Sequence, residues 1–218
     1  MAEAISLAKV LNDMISLVLA LNHAWFLAQV EGKLAEVERY ASDVIELSMR
    51  HNLANVLPAA FILSGWARSA SGHTAEGIAW IEEGIRDNYR AKGATVGMPY
   101  FLALKAEALH LADRTSEALE AIREAEVVAE RFEARWWSAE LHRLRGVFLT
   151  AIGADETQIE ASFCAAINTA KKQKSISLAK RAEGTYAEYR RQKACGSGEP
   201  GFRLPLCLTP KGKFQNHK

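Results

Sequence analysis

The chain has 218 residues, 49% of them hydrophobic and 24% charged, which suits a folded globular protein and argues against intrinsic disorder. Its 27 lysines and arginines against 26 aspartates and glutamates leave none of the basic excess that a nucleic-acid binder uses on phosphate backbones. Three cysteines, at 164, 195 and 207, are odd in number and form no C-x-x-C pair, so they read as reduced thiols, not as a disulfide framework or a zinc site.

The opening stretch MAEAISLAKVLNDMISLVLALNHAW is apolar, but Glu3, Lys9, Asn12, Asp13, Asn22 and His23 interrupt it. It lacks both the basic start of a signal peptide and the run of about 20 apolar residues that a spanning helix needs. The expectation is a cytoplasmic protein with no membrane association.

From residue 12 onward apolar residues recur at spacings of three and four, so helices and short turns are expected throughout. Breaks fall at Gly32, Gly72, Asp113 and Gly153, which are 40, 41 and 40 residues apart. Seven residues before each break stand Trp25, Gly65, Ala106 and Gly146. After each comes a face at i, i+4, i+7 spacing, small-large-small in the second and third units: Val37/Ala41/Val44, Gly77/Ile81/Gly84, Ala118/Ile122/Ala125 and, with one inserted residue, Ile159/Phe163/Ala166. Pro58 and Pro99, also 41 apart, suit the first turn of a helix, where a missing N–H is harmless.

This pattern predicts four helical hairpins at roughly 12–51, 56–92, 97–133 and 136–173, with a capping helix from about 176 to 193. The predicted class is all-α: a right-handed solenoid of about four tetratricopeptide-like hairpins, with a period of about 40 residues instead of that repeat's 34. The expected domains are a repeat body over 1–194 and a Gly/Pro-rich tail over 195–218. Four basic residues against Glu199 give the tail a net charge of +3, which would let it contact acidic surfaces.

Candidate chemistry is sparse. The stretch SGHTAEGIAWIEEGI begins like a phosphate-binding loop, but Gly77 is followed by Ile78 and Ala79, where that loop needs Lys and Ser or Thr. Its glycines therefore read as turn and packing residues. Glu107 and His110 have the i, i+3 spacing of a carboxylate-bridged metal site, but no second such pair occurs, so both read as surface residues. Cys164 reads as a buried small hydrophobe. No catalytic residues, cofactor or metal are expected, and the chain is read as a non-enzyme.

The segment ARWWSAELHRLRGVFL carries an apolar stripe of Trp137, Leu141, Leu144 and Phe148, which is expected to be core. Glu140 and Arg143 read as a partly buried ion pair, and His142 and Arg145 as pointing away. If a groove exists, the candidate contact residues are Tyr100, Arg135, Trp136, Glu140, His142 and Arg143. The RAKGATVGMPYF loop, with Arg90 and Lys92, reads as an exposed cationic turn.

Two stretches, GMPYFLALKAEALHLADRTSEAL and RWWSAELHRLRGVFLTAIGADETQIEASFCAAINTAKKQKSISLAKRA, together resemble the helical-repeat carboxyl-terminal region of large bacterial proteins that combine a class III adenylate cyclase-like domain, a signalling ATPase and tetratricopeptide-like repeats. The resemblance covers about residues 55–190 and implies a regulatory or partner-binding role, with cyclase and ATPase chemistry in other domains. The functional expectation is a non-enzymatic interaction or regulatory module whose protein partner could be a cyclase or ATPase signalling domain. The alternative is a sensor that binds a small ligand in the groove.

Overall fold

The computed structural model describes residues 2–92 and 96–194, with no side-chain description for 88–92. Arg90 and Lys92 have a helical backbone where a turn was expected, and their side chains, like the whole tail 195–218, lie outside the described residues. Within them the chain is all-helical, with ten α-helices and no strand.

A short α1 (Ala2–Val10) leads into four pairs of helices: α2 (Met14–Val30) with α3 (Leu34–Arg50), α4 (Leu57–Ala70) with α5 (Thr74–Lys92), α6 (Met98–Leu111) with α7 (Thr115–Arg131), and α8 (Ser138–Ala151) with α9 (Glu156–Lys172). A single 3₁₀ turn at Arg135–Trp137 precedes α8, and α10 (Ile176–Ala194) follows α9. Each helix packs on the next in sequence, and α4, α6, α8 and α10 also pack on one another in succession.

The turns show why these boundaries hold. Gly32, Gly72, Asp113 and Gly153 adopt left-handed φ values of 72°, 96°, 61° and 66°. The residue after each donates its N–H to a carbonyl five positions back: Lys33 to Ala28, His73 to Arg68, Arg114 to Leu109 and Ala154 to Leu149, at 2.8 to 3.0 Å. This is the Schellman stop, which satisfies carbonyls that a helix end would otherwise orphan. A second set of left-handed residues, Asn12, Asn52, Glu133 and Lys174, ends α1, α3, α7 and α9. Pro58 and Pro99 occupy first turns as the spacing predicts. Asp13 and Asp155 cap α2 and α9 by accepting backbone N–H groups.

The four repeated faces that follow the breaks are buried at the helix contacts. At the closest crossing, a Cβ on Gly65 would stand 2.5 Å from the Gly77 carbonyl oxygen, and one on Gly77 would stand 2.3 Å from that of Gly65. Only hydrogen fits at either position, so α4 and α5 meet backbone to backbone. That contact is what Gly77 of SGHTAEG serves, whereas its Gly72 is the left-handed stop of α4.

Two expectations about single residues need correction. Glu107 and His110 are not surface residues: both are buried, because α6 packs on α4, α7 and α8 and has little free face. Cys164 is exposed, not buried. It lies about 100° around the helix from Phe163, which takes the inward position.

Candidate binding site

The six candidate contact residues fall in three separate places. Tyr100 and Trp136 meet in an aromatic cluster, Glu140 and Arg143 lie in the interior, and Arg135 and His142 stand on other surfaces.

The aromatic cluster forms where the C-terminal half of α2 passes the start of α6 and the 3₁₀ turn. Phe26 contacts Tyr100, Trp136 and Trp137 with ring centroids 5.4, 6.1 and 5.7 Å apart, and Trp25 stacks on Tyr100 at 6.3 Å. These separations suit offset and edge-to-face aromatic pairs. Tyr100 is buried, with its hydroxyl 3.4 Å from Gln29 Oε1. Trp136 remains 41% exposed although its indole N–H donates to the Val96 carbonyl at 2.9 Å.

Beside these rings is a depression of about 330 Å³, floored by Trp25, Phe26, Tyr100 and Phe101 and rimmed by Asn22, His23 and Trp136. Its lining contains no carboxylate, amine or guanidinium. The Asn22 side-chain oxygen accepts from Trp25 Nε1 at 2.9 Å, so its amide NH₂ remains as a donor at the rim. His23 Nδ1 lies 2.8 Å from the Leu19 carbonyl, which assigns the proton to Nδ1 and leaves Nε2 as an acceptor when the ring is neutral. An apolar floor with one donor and one acceptor at its edge suits a hydrophobic group attached to an amide.

Glu140 and Arg143 are not groove residues. Arg143 is 0% exposed and grips Glu140 with two hydrogen bonds, Nε to Oε2 at 2.9 Å and Nη2 to Oε1 at 2.7 Å. Arg181 of α10 adds a second contact to Glu140 Oε1 at 3.1 Å and also donates to the Val30 carbonyl at the end of α2, at 3.2 Å. Thr185 accepts from Arg143 at 3.3 Å. Burial alone would raise the Glu140 carboxyl, but the two guanidiniums outweigh it and hold Glu140 below the usual carboxylate range.

Glu107 lies at the edge of this network and behaves in the opposite way. It accepts from Trp66 Nε1 at 2.7 Å. Burial pushes its carboxyl up to about 7, with Arg181 opposing and Glu140 adding to the rise. The cluster thus couples α4, α6, α8 and α10, and through Val30 it ties α10 back to α2.

The two remaining candidates have local partners. Arg135 forms an exposed pair with Glu130 at 2.7 Å. His142 Nδ1 lies 3.3 Å from Glu126 Oε1 on α7. Arg145, expected to point away, reaches across to Glu126 at 3.0 Å and Ser162 at 3.2 Å. Arg145 thereby ties α8 to both α7 and α9.

Sequence reasoning missed Phe26, Trp66, Arg181 and Thr185. The repeat itself held the signal, since Tyr100, Glu140 and Arg181 stand 40 and 41 residues apart, as do Trp66 and Glu107 at 41.

No family model matches the chain. An uncharacterized protein of Rhizobium meliloti (strain 1021) is 28% identical over 156 residues. The match covers 72% of this chain but 15% of the length of that relative, so the chain corresponds to one section of a much longer protein.

Proposed function

We propose that the chain is a tetratricopeptide-like solenoid that recognises another protein without catalysing a reaction, and that it seats an aromatic or branched aliphatic side chain of that partner in the depression beside Trp136. The observation that carries this reading is the Trp136 indole, 41% exposed above an apolar floor with the Asn22 and His23 side chains at its rim. Exposed aromatic anchors next to well-packed pockets supply most of the affinity in protein interfaces. The repeated turns and hairpins support the solenoid, a shape suited to partner binding. Following the family resemblance, a cyclase or signalling-ATPase domain is the first partner to test, in a cytoplasmic setting. No helix among the described residues is long and apolar enough to cross a membrane.

The test is calorimetric titration of the chain with a separately expressed cyclase-plus-ATPase fragment from the same genome, using wild type and Trp136→Ala. Saturable binding that weakens about thirtyfold in the variant, the scale of a 2 kcal/mol anchor, supports the reading. Equal affinity for wild type and variant refutes the depression as the contact. The size of the depression also favours a second reading, a small-ligand sensor, since about 330 Å³ is at the lower end of ligand pockets. A metabolite that raises the Tm of wild type but not of Trp136→Ala would select it.

A further inference from the structure

The depression beside Trp136 lies at the edge of the stack where one hairpin leads into the next, since Tyr100, Phe101 and Trp136 all stand at such junctions. Charge on that edge is unevenly distributed. The turn that carries Trp136 is balanced, with Glu130 and Glu133 against Arg131 and Arg135. The α3–α4 junction is balanced too, because Arg50 pairs with Glu46 at 2.5 Å. The α9–α10 turn is not. No carboxylate occurs between Glu160 and Glu183, while Lys171, Lys172, Lys174 and Lys180 all fall in that interval and are exposed.

These lysines stand next to the depression. Gln173 donates its side-chain N–H to the Arg135 carbonyl at 2.6 Å, so the turn that holds Lys172 and Lys174 rests against the turn that holds Trp136. Lys171 is neutralised by Glu183 at 2.9 Å. Among the described side chains, Lys172, Lys174 and Lys180 have neither a carboxylate nor an aromatic ring as partner, a condition that only Lys9 and Arg123 share. Lysines in the last turn of α9 suit the negative end of that helix, which accounts for Lys171 and Lys172. Lys174 and Lys180 have no such reason. They stand before and just after the first turn of α10, which has no acidic residue and whose N–H groups are already a positive end.

We propose that the partner segment is acidic: its apolar side chain enters the depression beside Trp136, and aspartates or glutamates a few residues from that anchor pair with Lys172 and Lys174. This rests on the reading of the depression as a partner site and adds which partners it selects. The depression has no charged group of the lysine, arginine or carboxylate kind in its lining, so shape and apolar contact alone would accept many anchors. The neighbouring lysines supply the discrimination, since exposed charge pairs add little affinity but steer encounter and reject partners of the wrong sign. Carboxylates fit the patch better than phosphates do. Planar, two-point phosphate recognition uses guanidinium groups, and the two nearby, Arg131 and Arg135, are engaged with Phe132 and Glu130.

Selection of short random peptides displayed on phage against the full chain decides the matter. The expected result is enrichment of peptides that lose binding to Trp136→Ala and that carry an aromatic or branched aliphatic residue with aspartate or glutamate close to it. The best of them, synthesised with a fluorescent label, should bind the double variant Lys172→Glu, Lys174→Glu about tenfold more weakly than wild type in anisotropy titrations, the scale of two exposed ion pairs. Raising the salt from roughly 50 to 500 mM should weaken binding to wild type and leave the double variant nearly unaffected. Circular dichroism melting checks that each variant is folded, and Lys172→Gln, Lys174→Gln replaces a charge reversal that is not. Peptides that need Trp136 yet show no acidic excess, or that bind the lysine variants as tightly as wild type, overturn this proposal and leave the depression as a partner site. A selection that yields no peptide dependent on Trp136 overturns both.

Discussion

Glu107→Gln tests whether the interior of the stack has a titrating group. In the folded chain the Glu107 carboxyl is pushed up to about 7 from its ordinary 4.5, chiefly by burial. A raised folded value means that the native state holds the proton more tightly than the unfolded chain between those two limits. The contribution of this group to stability is therefore fully present below 4.5 and is lost as pH rises through 7. A difference of about 2.5 units at 1.36 kcal/mol each makes the loss roughly 3 kcal/mol. Glutamine is always neutral and keeps an oxygen to accept from Trp66 Nε1, so the variant escapes that loss. Urea denaturation of both proteins should find them similar in stability near pH 4.5, with the variant more stable by roughly 3 kcal/mol around pH 8. Other carboxylates titrate in both proteins and cancel in the comparison. A difference that does not change with pH refutes the reasoning. A variant that is less stable around pH 8 would refute it as well, by showing that Arg181 holds Glu107 ionised.

Two further substitutions probe the packing and the ion network. Gly65→Ala forces a Cβ to within 2.5 Å of the Gly77 carbonyl and 2.8 Å of Ile81 Cγ1, so the α4–α5 contact must open, at about 1–3 kcal/mol. Calorimetry should then show Tm falling by several degrees, and an unchanged Tm would mean that the helices do not approach this closely. Arg143→Met leaves buried Glu140 with Arg181 as its remaining guanidinium partner and should cost about 3–5 kcal/mol in urea denaturation. A loss below about 1 kcal/mol would show that the pair contributes little in its buried setting.

The parts of the fold legible in the sequence were those in which one residue type meets a strict steric demand. Gly32, Gly72 and Gly153 mark left-handed helix stops because glycine adopts positive φ without cost, and Asp113 joined them only through its spacing. Of the companion stops, Asn12 and Asn52 carry the side chain that best tolerates positive φ, whereas nothing in the composition of Glu133 or Lys174 marks a stop. Tyr100 and Trp136 stood among six candidate contact residues, and the structure brings these two together while it separates the rest. Phe26, which joins them, stands in a helix that is apolar nearly all round and offers no contrast.

The sequence alone determined the all-helical character, the positions of the breaks and the residues that line each hairpin. These follow from local rules: periodicity of apolar residues, proline in first turns, and small residues where helices cross. Which polar side chains lie inside was decided by tertiary structure. Glu107 looks like a surface charge and Glu140 with Arg143 like a partly buried pair, and only the packing of α4, α6, α8 and α10 around one another encloses them fully together with Arg181. The aromatic depression likewise exists because α2 passes the starts of α6 and α8, bringing together residues more than seventy positions apart. Burial and long-range contact depend on how the helices stack in three dimensions, and a helical period sets only which face a residue occupies, not whether another helix covers it.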